Sequence, residues 1–210
     1  MAKIIKGNFS AIQRKTDNED QKKNPAAAYQ LKVSLLYSAP LIWRRVQVPG
    51  NLTLAKLHDV IQLCMGWTDT HLHQFMIGRN LYGPTDLNDD WSEVKALDES
   101  AFRLCDLEAE MRKRCIYEYD FGDGWQHEIE IEKVISPAEK SSEYPVLLAG
   151  VRACPPEDIG GVPGYENFLE VMNDPQSEDY AEMLRWYGSE TFDPDFFEMA
   201  EINKILKKIK

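Results

Sequence analysis

Residues 116 to 135 place the tightest constraint on what this chain can fold into. Ile116 to Phe121 and Trp125 to Ile135 each alternate apolar and polar residues, and Gly122-Asp123-Gly124 stands between them. Alternation at period two marks a strand with one covered face. The glycine-bracketed turn supplies the left-handed backbone that a tight hairpin requires. Tyr117, Tyr119 and Phe121 fall on one face, joined by His127, Ile129 and Ile131 on the return strand. Glu128, Glu130 and Glu132 point the other way, so that face is wet.

The remaining segments follow the same logic. Tyr29, Leu31, Val33, Leu35 and Tyr37 alternate with polar residues up to Pro40, and Ile42 to Val48 reads as a second strand ended by Pro49-Gly50. The short break between them favours antiparallel pairing. Thr53 is a helix N-cap, with Leu54, Leu57, Val60, Ile61 and Cys64 at helical spacing and Gly66 as the stop signal. His71 to Ile77 reads as a third strand, residues 83 to 96 as an exposed insertion with one short helix, and Ser100 to Met111 as partly helical. A Pro/Gly-rich loop runs from Gly150 to Gly164. Helices are then expected at Tyr165–Met172 and Glu178–Tyr187, with a last one opening at Asp193-Pro194. Strands come first and helices last. This order predicts an α+β fold: an antiparallel sheet or roll, one early helix packed on it, and a helical C-terminal third. Residues 1–27 are polar and read as a flexible leader, with a single domain from 28 to 210.

Composition narrows the function. Hydrophobic residues make up 43% of the 210 and include five tryptophans, enough for a substantial core. The net charge of -11 repels phosphate backbones, which disfavours nucleic acid as a partner. The short basic clusters at Arg112-Lys113-Arg114 and at Lys207, Lys208 and Lys210 read as solvated helix faces. No apolar run approaches the roughly 18 residues that a membrane span needs, and the N-terminus lacks the apolar core of a signal peptide. A cytoplasmic location is expected. Cys64, Cys105, Cys115 and Cys154 form no C-x-x-C pair and are expected as free thiols.

Three constellations carry chemistry. At the hairpin tip, Asp120, Asp123 and His127 could converge on a divalent cation or form a proton-transfer pair. The competing reading is the turn alone, because Asp-Gly is a common hairpin-turn dipeptide for backbone reasons. Asp120-Phe121-Gly122 matches a protein-kinase triplet, but the other kinase motifs are missing and that reading is rejected. His71-Leu72-His73, on a strand, puts both imidazoles on one side, where they share a metal or make sheet hydrogen bonds. The third, Cys154-Pro155-Pro156-Glu157-Asp158-Ile159-Gly160-Gly161, presents adjacent carboxylates on a stiff loop. Cys154 as a nucleophile would need a histidine base brought to it by folding. Trp43-Arg44-Arg45 offers a cation–π or anion-contacting edge.

Several motifs, in order, resemble the plasmid pRiA4b ORF-3-like family. They are Tyr29–Tyr37 followed by Pro40-Leu41-Ile42-Trp43-Arg44-Arg45, then Leu57-His58 to Gly66-Trp67, His71-Leu72-His73-Gln74-Phe75, Tyr117 to Trp125 with His127, Cys154 to Gly161, and Phe192-Asp193-Pro194 with Phe196-Phe197. The resemblance spans roughly residues 28 to 206. It implies an α+β roll of the kind found on plasmids and as an insertion-sequence passenger. A resolvase-like label borne by some members finds no support in this acidic chain.

The expected site is a cleft lined by Trp43, Arg45, His71, His73, Asp120, Asp123, Trp125, His127, Cys154, Glu157 and Asp158. A divalent metal there would take His71, His73, Asp123 and His127. The leading reading is a non-catalytic module that binds a protein, peptide or small cation-bearing ligand. The alternatives are a metal-dependent hydrolase using the same residues and a mobile-element accessory of DNA recombination.

Overall fold

The computed structural model describes residues 27–85, 95–139, 144–189 and 191–209. The expected leader lies outside them except for Ala27, which is buried, and most of the expected insertion lies outside them too. The fold is α+β. An eight-stranded sheet runs in the order β5-β4-β3-β6-β7-β1-β2-β8, antiparallel throughout except where β4 and β5 pair in parallel.

The centre of the sheet is made by β1 (Ala28–Leu35), β2 (Trp43–Pro49), β6 (Cys115–Tyr119) and β7 (Trp125–Ile135). The hairpin forms as expected, with Tyr119 opposite Trp125 and Tyr117 opposite His127. The long return strand also pairs with β1, bringing Leu35 opposite His127 and Val33 opposite Ile129. Leu31, Val33, Leu35, Tyr117, Tyr119 and Ile129 are buried on one face. The other face carries ion pairs between Lys32 and Glu130 and between Arg45 and Glu132. Some residues expected at strand ends fall outside the ladder. Tyr37 sits in a turn with φ of 66° and is exposed, because Ser38 ends the strand by donating to the Leu35 carbonyl and accepting from the Ile42 amide. Phe121 likewise lies beyond the end of β6 and is half exposed.

Helix α1 (Leu54–Met65) covers the apolar face. Its ends follow the expected signals: the Lys56 amide donates to the Thr53 hydroxyl, and Gly66 closes the helix at φ 94°. Its inward stripe carries His58 and Gln62 as well as Leu54, Leu57, Val60, Ile61 and Cys64. Arg44 alternates to the same side and is almost fully buried. It donates to four backbone carbonyls, Trp43 at 2.9 Å, Cys64 at 2.7 Å, Val151 at 2.9 Å and Arg152 at 2.8 Å. The Phe197 ring lies 4.3 Å from its guanidinium. One cation thus ties the end of α1 to β2 and to β8 (Val146–Val151).

The edges of the sheet were the least expected part. Beyond β3 (His73–Ile77) lie β4 (Asn80–Gly83) and the two-residue β5 (Leu97–Asp98). At the other edge β8 occupies residues partly assigned from sequence to a loop. Its outer side is closed by Asn203, whose amide donates to the Leu147 carbonyl and accepts from the Leu147 amide. This contact blunts an edge that would otherwise pair with another chain.

A short helix α2 (Leu104–Met111) follows a single 3-10 turn at Glu99–Ala101. The C-terminal third is helical as expected, with shifted boundaries. Helix α3 (Gly161–Asn173) begins earlier than Tyr165, after the left-handed Gly160. Helix α4 is Tyr180–Tyr187. Helix α5 (Met199–Leu206) begins later than Asp193-Pro194. Asp193 caps a separate turn, accepting from the Asp195 amide at 2.9 Å. No helix among the described residues is long and apolar enough to cross a membrane.

Arg44→Leu should lower the unfolding free energy by about 3 kcal/mol, because buried carbonyls lose charged donors. Urea denaturation checks this as a lower midpoint at unchanged slope.

Candidate functional site

The site is organised by residues 66–72, which link α1 to β3. Side chains from other segments hold this connection. The Trp67 indole donates to the Pro155 carbonyl at 3.0 Å. The Thr68 amide and hydroxyl donate to Glu157 at 2.9 and 3.2 Å. The Asp69 amide donates to the Gln62 side chain at 3.0 Å, and the Thr70 amide to the Tyr119 hydroxyl at 3.1 Å. That hydroxyl in turn donates to Glu157 at 3.1 Å. Tyr119 therefore joins the hairpin, the 66–72 connection and the acidic loop through one oxygen.

This arrangement separates the two histidines that their spacing put side by side. β3 starts at His73, paired with Tyr119, so His71 lies ahead of the strand. Each imidazole joins a different cluster.

The first cluster is His71 with Asp120 and Asp158. His71 Nε2 lies 3.0 Å from Asp158 Oδ1 and 3.6 Å from Asp120 Oδ2. It is buried, yet makes no hydrogen bond among the described residues. Asp120 and Asp158 both occupy left-handed backbone, at φ 54° and 56°. Asp120 Oδ1 accepts from the Gly122 and Asp123 amides at 2.9 and 3.3 Å. The loop is clamped onto the hairpin by Asp123, which accepts from the Gly160 amide at 3.1 Å. Gly161 makes this approach feasible: a Cβ there would stand 2.5 Å from the Asp123 carbonyl oxygen.

The second cluster is His58, His73, Asp69 and Glu99. The two imidazoles stack with centroids 3.5 Å apart and planes 6° from parallel. His58 Nε2 meets Asp69 Oδ1 at 2.9 Å, and His73 Nε2 meets the two Glu99 oxygens at 3.0 and 3.1 Å. The Tyr117 hydroxyl lies 2.8 Å from His58 Nδ1 and accepts from Gln62 at 3.0 Å. With Gln62 donating, Tyr117 donates to Nδ1, which puts the proton of the neutral ring on Nε2, facing Asp69. Burial, then the neighbouring His73, depress the His58 pKa, while Asp69 opposes the shift. The lone pairs of an imidazole lie in its plane. Two parallel stacked rings cannot aim them at one ion, so this cluster pairs internally.

The clusters meet at a cavity of about 480 Å³ whose lining includes His58, Asp59, Asp69, His71, His73 and Glu99. Its lysine, Lys56, is engaged by Asp59 at 3.0 Å. A smaller hollow of about 300 Å³ shares His71 and is lined also by Asp120, Phe121 and Gly122.

The other expected site residues lie elsewhere. Trp43 and Arg45 point to the sheet face opposite α1, where Arg45 grips Glu132 at 2.6 and 2.7 Å and stacks 5.0 Å from the Trp43 ring. Trp125 and His127 are core residues, with His127 Nδ1 3.1 Å from the Trp125 carbonyl oxygen and its ring edge-on to Trp67. The expected metal set of His71, His73, Asp123 and His127 is thus dispersed, because β3 starts too late for the His pair and β7 turns His127 into the core. Cys154 is partly covered, and burial pushes its thiol pKa up, which disfavours the thiolate. Glu157 spends its carboxylate on Thr68 and Tyr119. Sequence reasoning did not place His58, Asp69 and Glu99 in the site. The one signal available was a histidine and a glutamine, His58 and Gln62, four apart on the buried stripe of α1.

The motifs that meet here are those of a known family, and its model matches residues 27–201. The chain belongs to the plasmid pRiA4b ORF-3-like protein family. Among its relatives is the uncharacterized protein y4hQ of Sinorhizobium fredii (strain NBRC 101917 / NGR234). It is 38% identical over 179 residues, covering 85% of this chain and 90% of the relative. The fold is similar to the crystal structure of a protein of unknown function, MM3350, from Methanosarcina mazei Go1. The TM-score is 0.72 at 37% identity, covering 83% of this chain and 97% of that one.

The buried His127 of this pRiA4b ORF-3-like chain gives a pH signature. Burial lowers its pKa from the ordinary 6.5 to about 4. Below about pH 6.5 the unfolded chain takes up a proton that the folded chain refuses, so stability falls as pH drops and levels off near 4. Between pH 7 and pH 5 this residue should cost about 2 kcal/mol. Urea titrations at both pH values check it, and His127→Leu should lose less stability over that interval than the parent.

Proposed function

We propose that this family member is a non-catalytic binding module whose cleft receives a positively charged ligand. The observation that carries the reading is the meeting of His71, Asp120 and Asp158. Each comes from a different motif: the His-Leu-His segment, the hairpin tip and the acidic loop. Charge supports a cationic guest. The adjoining cavity is bordered by Asp59, Asp69 and Glu99 against the single lysine Lys56, which is already paired. The side chains best suited to covalent or acid–base work are occupied or suppressed. His58 and His73 are paired with carboxylates, and the Cys154 thiol is held protonated by burial.

A second reading, metal-dependent hydrolysis, draws on one observation: two imidazole–carboxylate pairs line the same cavity as His71. A base near a metal-activated water is the usual need of such chemistry.

Thermal-shift and calorimetric titrations with guanidinium, an alkyl diamine and divalent ions on one side, and phosphate and acetate on the other, test the leading reading. At least one cation should raise the melting temperature, and Asp158→Asn should cut its affinity about tenfold or more. Stabilisation by the anions alone would overturn the reading. Turnover of generic ester, phosphodiester or peptide substrates in the presence of divalent ions would replace it with the hydrolase.

A further inference from the structure

We infer that His71, Asp120 and Asp158 form a binding site for a divalent first-row metal ion. The inference rests on the cation-receiving cleft above and names its occupant.

The donor atoms have the required spacing. His71 Nε2 is 3.0 Å from Asp158 Oδ1 and 3.6 Å from Asp120 Oδ2, and the three residues can each offer an atom within 4.8 Å of the others'. Two ligands about 2.1 Å from one ion, at right or tetrahedral angles, stand roughly 3.0 to 3.4 Å apart.

The donors also have no better use. Asp120 has a side chain only 9% exposed. Its Oδ1 is fixed by the Gly122 and Asp123 amides, which leaves Oδ2 turned to His71. His71 Nε2 is buried and close to both carboxylates, yet forms a hydrogen bond with neither. A buried ring nitrogen that lies within 3.6 Å of two carboxylate oxygens and makes a hydrogen bond with neither is well placed for its lone pair to bind a cation. The ring is held edge-on to Tyr119, with centroids 5.9 Å apart.

The open side completes the site. Asp158 is 70% exposed, and the hollow beside Asp120 gives the ion room for water or a further ligand. One imidazole and two carboxylates, with no sulfur, suit Zn²⁺ or Mn²⁺ over Cu⁺, and over Mg²⁺ or Ca²⁺, which prefer oxygen alone. The stacked His58 and His73 rings cannot converge on an ion, which makes the neighbouring cluster a built-in comparison.

Isothermal titration of the full chain, stripped with chelator, with ZnCl₂ and MnCl₂ tests the site. About one ion per chain should bind, with affinity reduced about tenfold or more in His71→Gln and in Asp158→Asn and unchanged in Glu130→Gln on the opposite sheet face. In NMR spectra of the parent, Mn²⁺ should broaden resonances of Thr70, His71, Leu72 and Gly122 first. Absence of binding, binding that survives both site variants, or broadening centred on His58 would overturn the inference. If metals fail while guanidinium or the diamine still binds in an Asp158-dependent way, the metal site falls and the cation-binding cleft stands. If every cation fails, both fall.

Discussion

The hydroxyl of Tyr119 is the point on which the site depends. It accepts from the Thr70 amide and donates to Glu157, so one oxygen on the hairpin fixes both the connection into β3 and the acidic loop. The tyrosine can do this because its ring is fully buried, stacked 4.9 Å from Trp67, while its tip reaches the rim. Buried aromatic bodies with a polar tip combine area with a directed hydrogen bond. The indole of Trp67 adds a second tie to the same loop through Pro155. Between them, two aromatic residues set where His71 and Asp158 lie relative to Asp120.

The rest of the fold supports this rim. Arg44 joins α1, β2 and β8 through backbone carbonyls, using a buried charge where a hydrophobic residue could not satisfy so many acceptors. The wet face of the sheet, with Lys32, Arg45, Glu130 and Glu132, takes no part in the cleft. Polar residues on the covered face are a different matter: His58, Gln62 and Tyr117 form a satisfied network beneath the cavity. They hold one wall of the cavity in place.

Much of the scaffold was legible in the sequence because it rests on local rules. The Thr53 and Gly66 caps, the hairpin and the strand alternation need only neighbouring residues. The errors arose where a distant contact decided the outcome. β3 begins at His73 because the preceding residues are captured by Tyr119, Glu157 and Gln62, so the His-Leu-His spacing did not carry strand geometry. β8 alternates weakly, and its outer side is closed by Asn203, 56 residues away. Glu99 reaches His73 across 26 residues of sequence. The motif residues His71, Asp120 and Asp158 were all identified, but their grouping depended on left-handed backbone at the two aspartates, which composition does not reveal. The solved structure shares the fold, and the ligand is left to chemistry.

The central claim is that the three motif segments exist in this arrangement to hold a cation between His71, Asp120 and Asp158. Anomalous diffraction from crystals grown with Mn²⁺ or Zn²⁺, collected above and below the metal edge, tests it most directly. The account predicts a single strong peak within bonding distance of His71 Nε2 and both carboxylates. A map with no peak there, or with its peak on His58 and His73, would contradict it.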